Sequence, residues 1–246
     1  IDDPYIIAEI SANHNGSLSK CLKLINNAKK NGADAVKIQT YTPEAMTIKS
    51  NRKEFFIRKG LWKNYSLWEL FEKAQTPYEW HKKIFDHCKK IKINCFSSAF
   101  DKSSIKILEE LKCPIYKIAS FEMTDYSLLY NISKTKKPVI ISTGMSNLRE
   151  IKESVSFLRK NGTKDIAILY CVSSYPAKDE EFNLNNIKIL KDEFDCVIGF
   201  SDHSNNIEIA KLAYAVGAKI FEKHIALTNQ KKGFDIEFSL KGKQIR

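Results

Sequence analysis

Eight times along this chain a short apolar run ends in polar, chemistry-capable residues, and an amphipathic stretch follows. The runs are 5–11, 35–41, 93–98, 115–120, 139–144, 166–172, 197–203 and 219–225. Strands alternating with helical patterns imply a parallel sheet. Eight such units in a chain of 246 residues predict an α/β fold, a closed (β/α)8 TIM barrel. One barrel uses the whole length, so residues 1–246 are read as a single domain with its last helix incomplete. In this architecture the C-terminal strand ends meet at one mouth, and the polar tails should converge there.

Composition narrows the class. Apolar residues make up 43% and charged residues 28%, ordinary for a globular protein. No apolar run reaches the roughly 18 residues of a membrane span, and no signal peptide opens the chain. It begins at Ile1 rather than Met, so a few preceding residues are expected. Six scattered cysteines (21, 88, 95, 113, 171 and 196) form no close pair. They read as reduced, mostly buried thiols of a cytoplasmic protein, not as a zinc site. The net charge of +11 suggests anionic partners. However, lysine pairs such as Lys29-Lys30 and Lys89-Lys90 fall at outer helix faces and ends. With no basic stripe interleaved with aromatics, neither nucleic acid nor a membrane is expected as a partner.

Helix starts are well signalled. Ser17 should cap a helix over 18–30 that ends at Asn31-Gly32, and Asn147 should cap another. Thr76-Pro77-Tyr78-Glu79 offers an N-cap, a first-turn proline and a capping-box glutamate. The helix it opens places Trp80, Ile84, Phe85 and Cys88 on one face, leaving His81 and His87 as expected surface residues. The longest interval lies between the second and third strands. Its excess, 42–75, is rich in aromatics, including Trp62 and Tyr65. It is either a loop overhanging the mouth or a packed outer excursion.

Strand parity sorts the tails. Val36, Ile38 and Thr40 should face the helices, leaving Lys37 and Gln39 on the barrel axis. Glu9 pairs with Ser11 on one face, Ser201 with His203, and Glu222 with His224. A lysine buried without an anion is costly. Lys37 and Lys117, with Ser98, Ser120 and Ser201 nearby, therefore read as a clamp for phosphate or carboxylate. Alternatively, each lysine pairs with Glu9 or Glu222 in a buried network, and the two arrangements can coexist. His203 and His224 end adjacent strands and could share Mn²⁺ or another first-row metal. Glu122, just past the fourth strand, is a candidate general base. Lys117 could instead form a Schiff base, although nearby anions should oppose the lowered pKa this needs.

Seven motifs, in order and nearly end to end, resemble the sialic acid synthase family. They are Glu9-Ile-Ser-Ala-Asn-His-Asn-Gly-Ser17, Lys37-Ile-Gln-Thr40, Tyr116-Lys-Ile-Ala-Ser120, Ser142-Thr-Gly-Met145, Ser174-Tyr-Pro176, Gly199-Phe-Ser-Asp-His203 and Glu222-Lys-His224. Thr40-Tyr-Thr-Pro43, Gly60-Leu-Trp62 and Thr76-Pro-Tyr-Glu-Trp80 are most similar to its pseudaminic acid branch. The resemblance implies that phosphoenolpyruvate condenses with the open-chain aldehyde of an N-acetylated amino sugar. The products are a nine-carbon 2-keto acid and phosphate. Lys37, Ser98, Lys117, Ser120 and Ser201 would hold phosphoenolpyruvate, and His203 and His224 would hold Mn²⁺ or Mg²⁺. Glu122 would manage the attacking water, while Gln39, Tyr175 and Asp235 would hold the sugar and Glu9 would order the site.

Three departures accompany this resemblance. The family's Asn-x-Tyr-Pro is here Ser173-Ser174-Tyr175-Pro176, which alters a phosphate-side contact while leaving Ser174 on the substrate side. Trp62 stands where sialic acid synthases have a polar sugar contact, favouring a deoxygenated acceptor. The family's C-terminal antifreeze-like domain, which caps the partner's site in a homodimer, lies outside a chain that stops at Arg246. The chain is then a fragment, a trimmed version or a natural short form. Competing readings are a phosphosugar-using 2-keto acid synthase, a Schiff-base aldolase and a catalytically weak barrel serving as a scaffold.

Overall fold

The computed structural model describes residues 3–245. In chain order its elements are β1 (Tyr5–Glu9), α1 (Leu18–Lys30), β2 (Ala35–Thr40), α2 (Pro43–Met46), α3 (Leu67–Ala74), α4 (Tyr78–Ile91), β3 (Asn94–Ala99), α5 (Lys102–Glu110), β4 (Tyr116–Ile118) and α6 (Tyr126–Lys134). There follow β5 (Val139–Ser142), α7 (Leu148–Lys160), β6 (Ile166–Cys171), α8 (Asn185–Glu193), β7 (Val197–Asp202), α9 (Ile207–Ala215), β8 (Ile220–Ala226) and the short β9 (Leu240–Lys241). Strands β1 to β8 pair in parallel in sequence order, and β1 closes on β8 with Glu9 opposite His224. The expected (β/α)8 barrel is therefore the fold.

Alternation divides the interior by depth. On the inward parity the lower barrel is filled by Ile7, Ala35, Phe96, Ile140, Leu169 and Ile220, all buried in one cluster. One step further along the same parity the residues become Glu9, Lys37, Ser98, Ser142, Cys171 and Glu222. Apolar packing below thus supports a polar layer at the mouth. Outward residues of β1 and β2, such as Ala8, Val36 and Ile38, pack against Cys21, Leu24 and Ile25 of α1.

Capping explains most helix boundaries. The Ser17 side chain accepts from the Lys20 amide, and Asn147 forms a capping box with Glu150. Gly32, at φ 89°, turns the chain after α1. The expectation for α4 needs correction, because Pro77 holds its N-cap position without a side-chain cap. Thr76 lies buried one residue earlier.

His81 also departs from the surface position expected of it. It is fully buried and shares the 81, 84, 88 stripe of α4, which is as helical a spacing as the stripe through Trp80. Its Nε2 lies 2.8 Å from Thr40 Oγ1, which lies 2.6 Å from Ser97 Oγ, and its Nδ1 lies 3.1 Å from the Pro77 carbonyl. These outward partners satisfy the ring and tie α4 to β2 and β3. Five of the six cysteines are buried and all six are free thiols, as expected.

Two strand ends come earlier than their apolar runs. Ser11 and Ser120 leave the sheet and open the 3-10 turns Ser11–His14 and Ser120–Glu122. After β8 the described chain makes 3-10 turns at Ile236–Phe238 and Gly242–Ile245, and β9 adds in parallel beside the end of β8. Buried Asn13 fastens this segment across the β1–β8 seam. Its Nδ2 donates to the Ile225 carbonyl and to Ser239 Oγ, each at 2.8 Å. Its carbonyl accepts from Gln230 Nε2 at 2.9 Å.

Gly199 lies where β7 and β8 approach closely, so that a Cβ would lie 2.3 Å from the Ile220 carbonyl oxygen and 2.6 Å from Leu169 Cδ2. Backbone on the neighbouring strand cannot yield cheaply. Gly199→Ala is therefore expected to lower stability by about 1–3 kcal/mol, measured as a shift in urea midpoint. An unchanged midpoint would show that β7 and β8 have room to separate.

Candidate active site

The centre of the mouth is a buried ion cluster. Lys37 on β2 reaches Glu9 on β1 at 3.0 Å and Glu222 on β8 at 3.1 Å, and donates to Ser98 Oγ at 3.4 Å. Burial opposes charge on Lys37, but Glu222 and Glu9 outweigh it and raise the pKa. Burial likewise opposes ionised Glu222, yet Lys117, Lys37 and the Ser201 hydroxyl bring it down to about 2. Ser201 donates to Glu222 Oε1 at 3.0 Å. Gln39 donates to Ser11 Oγ at 3.2 Å and to Glu9 Oε1 at 3.4 Å, and Glu9 Oε1 also accepts the Ser11 amide at 2.8 Å.

The second lysine is held differently. Lys117 on β4 is fully buried and donates to Ser142 Oγ at 2.7 Å and to the Ile118 carbonyl at 2.9 Å. Pairing with a glutamate therefore describes Lys37 but not Lys117, among the described residues. Two neutral acceptors leave one of its three ammonium protons for a ligand. Burial, reinforced by the charge of Lys37, lowers its pKa to about 8 against the pull of Glu222. The expected opposition of nearby anions is present but loses to desolvation.

Beside Lys117 the strand ends form a hydroxyl-lined cradle. The Gly144 amide donates to Ser120 Oγ at 3.0 Å. A Cβ at Gly144 would lie 2.3 Å from Ser173 Oγ and 3.1 Å from Ser120 Oγ, so any larger residue there would have to turn the Ser173 hydroxyl aside. Ser173 Oγ is buried with no hydrogen-bond partner. The hydroxyl bordering the cradle thus belongs to Ser173, while its neighbour Ser174 is half-buried. Sequence reasoning singled out neither Ser173 nor Ser142 as a site residue. The signals were the polar tails of the fifth and sixth strands and, for Ser173, its place at the asparagine of the family's Asn-x-Tyr-Pro.

His203 and His224 form the opposite side, their ring centroids 5.6 Å apart at 61°. His203 Nδ1 lies 3.0 Å from the Val172 carbonyl, and His224 Nδ1 lies 3.4 Å from Asp235 Oδ2. Bonded to a carbonyl through Nδ1, His203 presents Nε2 as its lone-pair nitrogen, the tautomer that suits a metal ligand, whereas His224 Nδ1 stands near Asp235 without a hydrogen bond. Burial also lowers the pKa of His203, favouring neutral imidazole. The pair therefore fits a cation. No group of three or more His, Cys, Asp or Glu side chains among the described residues could hold one, so further ligands would be substrate or water. Asp235 also accepts from the Ala12 amide at 3.4 Å, and its own amide donates to Asn13 Oδ1 at 3.3 Å. Asn13 is thus a positioning residue that sequence reasoning quoted within a motif without assigning it a role.

Tyr175 packs beside His203 with centroids 4.4 Å apart and the rings tilted at 43°, and Trp62 from the 42–75 excursion stands 5.6 Å from Tyr175. That excursion packs across the mouth, since Trp62 Nε1 donates to the Phe234 carbonyl at 2.9 Å. Glu122 lies in the turn after β4 with Oε2 buried and unbonded. Burial lifts its pKa to about 7, against the pull of Lys117. A carboxyl poised there can give or take a proton near neutrality.

Two outcomes follow from these electrostatics. Lys37→Met strands Glu9 and Glu222 as buried charges and is expected to cost roughly 3–5 kcal/mol, read from urea unfolding at neutral pH. A loss below the usual scatter of surface substitutions would mean that water replaces the lysine. Glu122 has a folded-state pKa above its ordinary value, so its stabilising contribution is complete at low pH and lost as pH rises through about 7. Relative to Glu122→Gln, the native chain should lose stability between about pH 4.5 and 7. Parallel stability curves for the two proteins would contradict the raised value.

The family model described as the NeuB family matches residues 24–246. Pseudaminic acid synthase of Campylobacter jejuni is 44% identical over 236 residues, spanning 96% of this chain and 69% of that protein. The Helicobacter pylori pseudaminic acid synthase is 40% identical over 240 residues, spanning 98% and 71%. Among solved structures, the N-acetylneuraminic acid synthetase of Leptospira borgpetersenii in complex with citrate superimposes with a TM-score of 0.88 at 32% identity. That match covers 99% of this chain and 80% of the other. On both the extent of the family match and the identity to its relatives, the chain belongs to the NeuB family.

Proposed function

We propose that this barrel condenses phosphoenolpyruvate with the open-chain form of an N-acetylated amino sugar, giving a nine-carbon 2-keto acid and phosphate. The acceptor is a 2,4-diacetamido-2,4,6-trideoxyhexose, the sugar class of the pseudaminic branch. The observation that carries this reading is a buried Lys117 without a carboxylate partner, set in a serine-lined cradle at a mouth that also holds a histidine pair. Relationship to pseudaminic acid synthases supports the reaction class.

In this reading Lys117, with Ser98 and Ser120, binds the phosphate and carboxylate of phosphoenolpyruvate by charge-assisted hydrogen bonds, while Ser201, whose proton is given to Glu222, holds that side chain in place beside them. Ser173 joins them through its unpaired hydroxyl. Lys37 orders Glu9 and Glu222 beneath the ligand while adding positive potential. His203 and His224 would hold Mn²⁺, or Mg²⁺ with less affinity for nitrogen ligands. When bound, the cation supplies Lewis acidity that polarises the aldehyde carbonyl. The C2–C3 π electrons of phosphoenolpyruvate form the new bond from C3 to the aldehyde carbon, whose oxygen takes a proton from Glu122. Water adds at the cationic C2 and returns a proton to Glu122, and the C2–O bond to phosphate then breaks as the remaining C2 hydroxyl proton passes to the departing phosphate, leaving the ketone. Burial of Glu122 suits both directions of proton movement near neutral pH.

The test is phosphate release from phosphoenolpyruvate, with Mn²⁺, across a panel of amino sugars. Release with a diacetamido-trideoxyhexose is expected. His203→Ala and His224→Ala should each reduce turnover at least a hundredfold, on the scale of losing an electrostatic stabiliser. Metal binding unchanged in both variants would remove the histidines as ligands. The lowered pKa of Lys117 also suits a Schiff-base aldolase. Inactivation by borohydride in the presence of a keto acid, with covalent mass on Lys117, would favour that chemistry over the synthase.

A further inference from the structure

Positive charge is concentrated at one place on the rim. Residues 49–63 carry six Lys or Arg against one acidic residue, a net +5 of the +11 on the whole chain. The tip of this segment is a closed hairpin. Phe56 bridges antiparallel to Ser66, the Ile57 amide donates to the Tyr65 carbonyl at 3.0 Å, and the Asn64 amide returns to the Ile57 carbonyl at 3.0 Å. Gly60, at φ 81°, turns the tip. Arg58, Lys59 and Lys63 are thus held in one small loop, and all three are exposed. The indole of Trp62 ties that loop to the mouth through the Phe234 carbonyl. Across this joint Lys232 lines an open cavity of about 320 Å³ with Trp62 and Tyr65, and both it and Lys231 are exposed. Glu237 is the one carboxylate lining that cavity. None of these five cations joins an ion pair among the described residues.

The buried layer inside the mouth is charged differently. Lys37 and Lys117 are matched in number by Glu9 and Glu222, and Asp235 adds a further carboxylate beside His224. Lys117 can hold an anion at contact, but viewed from solvent these charges cancel and exert little long-range pull. Attraction over a distance must come from unbalanced charge close to the entrance.

We propose that the hairpin tip and Lys231-Lys232 form an electrostatic funnel that gathers phosphoenolpyruvate, a small anion bearing both a phosphate and a carboxylate, into the mouth. The inference rests on the condensation reading above. Exposed cations without a fixed partner add little to a bound state, because water and salt screen them. They raise the local concentration of an approaching anion, and so act on the association rate more than on the dissociation rate. At roughly 0.15 M ionic strength such fields fade over about 8 Å, so cations at the rim contribute and those at the far end of the barrel do not.

The experiment measures phosphoenolpyruvate binding to the native chain without turnover, by stopped-flow tryptophan emission for the rates and calorimetry for the affinity. The native association rate should fall about tenfold between low salt and roughly 0.15 M. The triple variant Arg58→Gln, Lys59→Gln, Lys63→Gln should associate about three- to tenfold more slowly at low salt, with a flatter salt dependence and an unchanged dissociation rate. A control removes the same charge elsewhere, as Lys89→Gln, Lys90→Gln, Lys92→Gln, at exposed positions where α4 ends and leads into the start of β3. It should associate at the native rate. Equal slowing in the two triple variants would overturn the funnel in favour of net charge, and native association by the hairpin variant would overturn it outright. Slowing confined to dissociation would make the hairpin a contact of the bound anion instead. Binding at a salt-independent rate would sink the funnel and leave the condensation reading standing, whereas no binding of phosphoenolpyruvate by the native chain would sink both.

Discussion

Everything at the mouth depends on one buried cation shared between two carboxylates. Lys37 lies between Glu9 and Glu222, on three neighbouring strands of which two form the seam where the barrel closes. Removing any one member would leave uncompensated charge in a region of low dielectric, so the three fix one another. That closure has a chemical consequence. With both carboxylates already committed to Lys37, the second lysine keeps no direct anionic partner among the described residues. The site therefore holds a built-in deficit of negative charge at Lys117, which a phosphate or carboxylate can fill. Binding such an anion would reverse the burial effect that lowers the Lys117 pKa.

The fold supplies the geometry for this by separating jobs according to parity. Inward residues carry the ion cluster, and outward residues hold the strands to the helices. Thr40, Ser97 and His81 form a hydrogen-bonded chain on the outer side of β2 and β3, directly behind Gln39 and Ser98. A one-residue slip would exchange these two sets, so the buried outer chain protects the register on which the site depends. At the seam Asn13 performs a similar task for the segment after β8, bringing Asp235 to His224 from a region with little regular structure.

Much of this was legible in advance. Eight apolar runs with polar tails were enough for the barrel, because strand periodicity and the convergence of parallel strand ends are local rules. Lys37, His203 and His224 could be placed on the axis by counting in twos. Elsewhere local rules fell short. His81 occupies a stripe that is apolar at its other positions, and only its meeting with Thr40 makes burial affordable. Thr76 precedes Pro77 in a good capping pattern, yet the helix starts too late to use it. Ser173 and Ser174 are chemically identical, so a strand ending one residue earlier or later decides which hydroxyl borders Gly144.

By itself, the sequence determined the periodicity, hence the barrel, the parity of each strand-end residue and the pool of groups at the mouth. Tertiary structure alone decided how charges were apportioned within that pool. Glu9 and Glu222 could each have paired with either lysine. The stagger of β1, β2 and β8 brings both within reach of Lys37 and leaves Lys117 to Ser142 and a carbonyl. Ion pairing falls off with distance and depends on burial, and neither is a property of spacing along a chain. Trp62 and Tyr175 likewise lie far apart in sequence and meet only when the excursion folds back over the mouth.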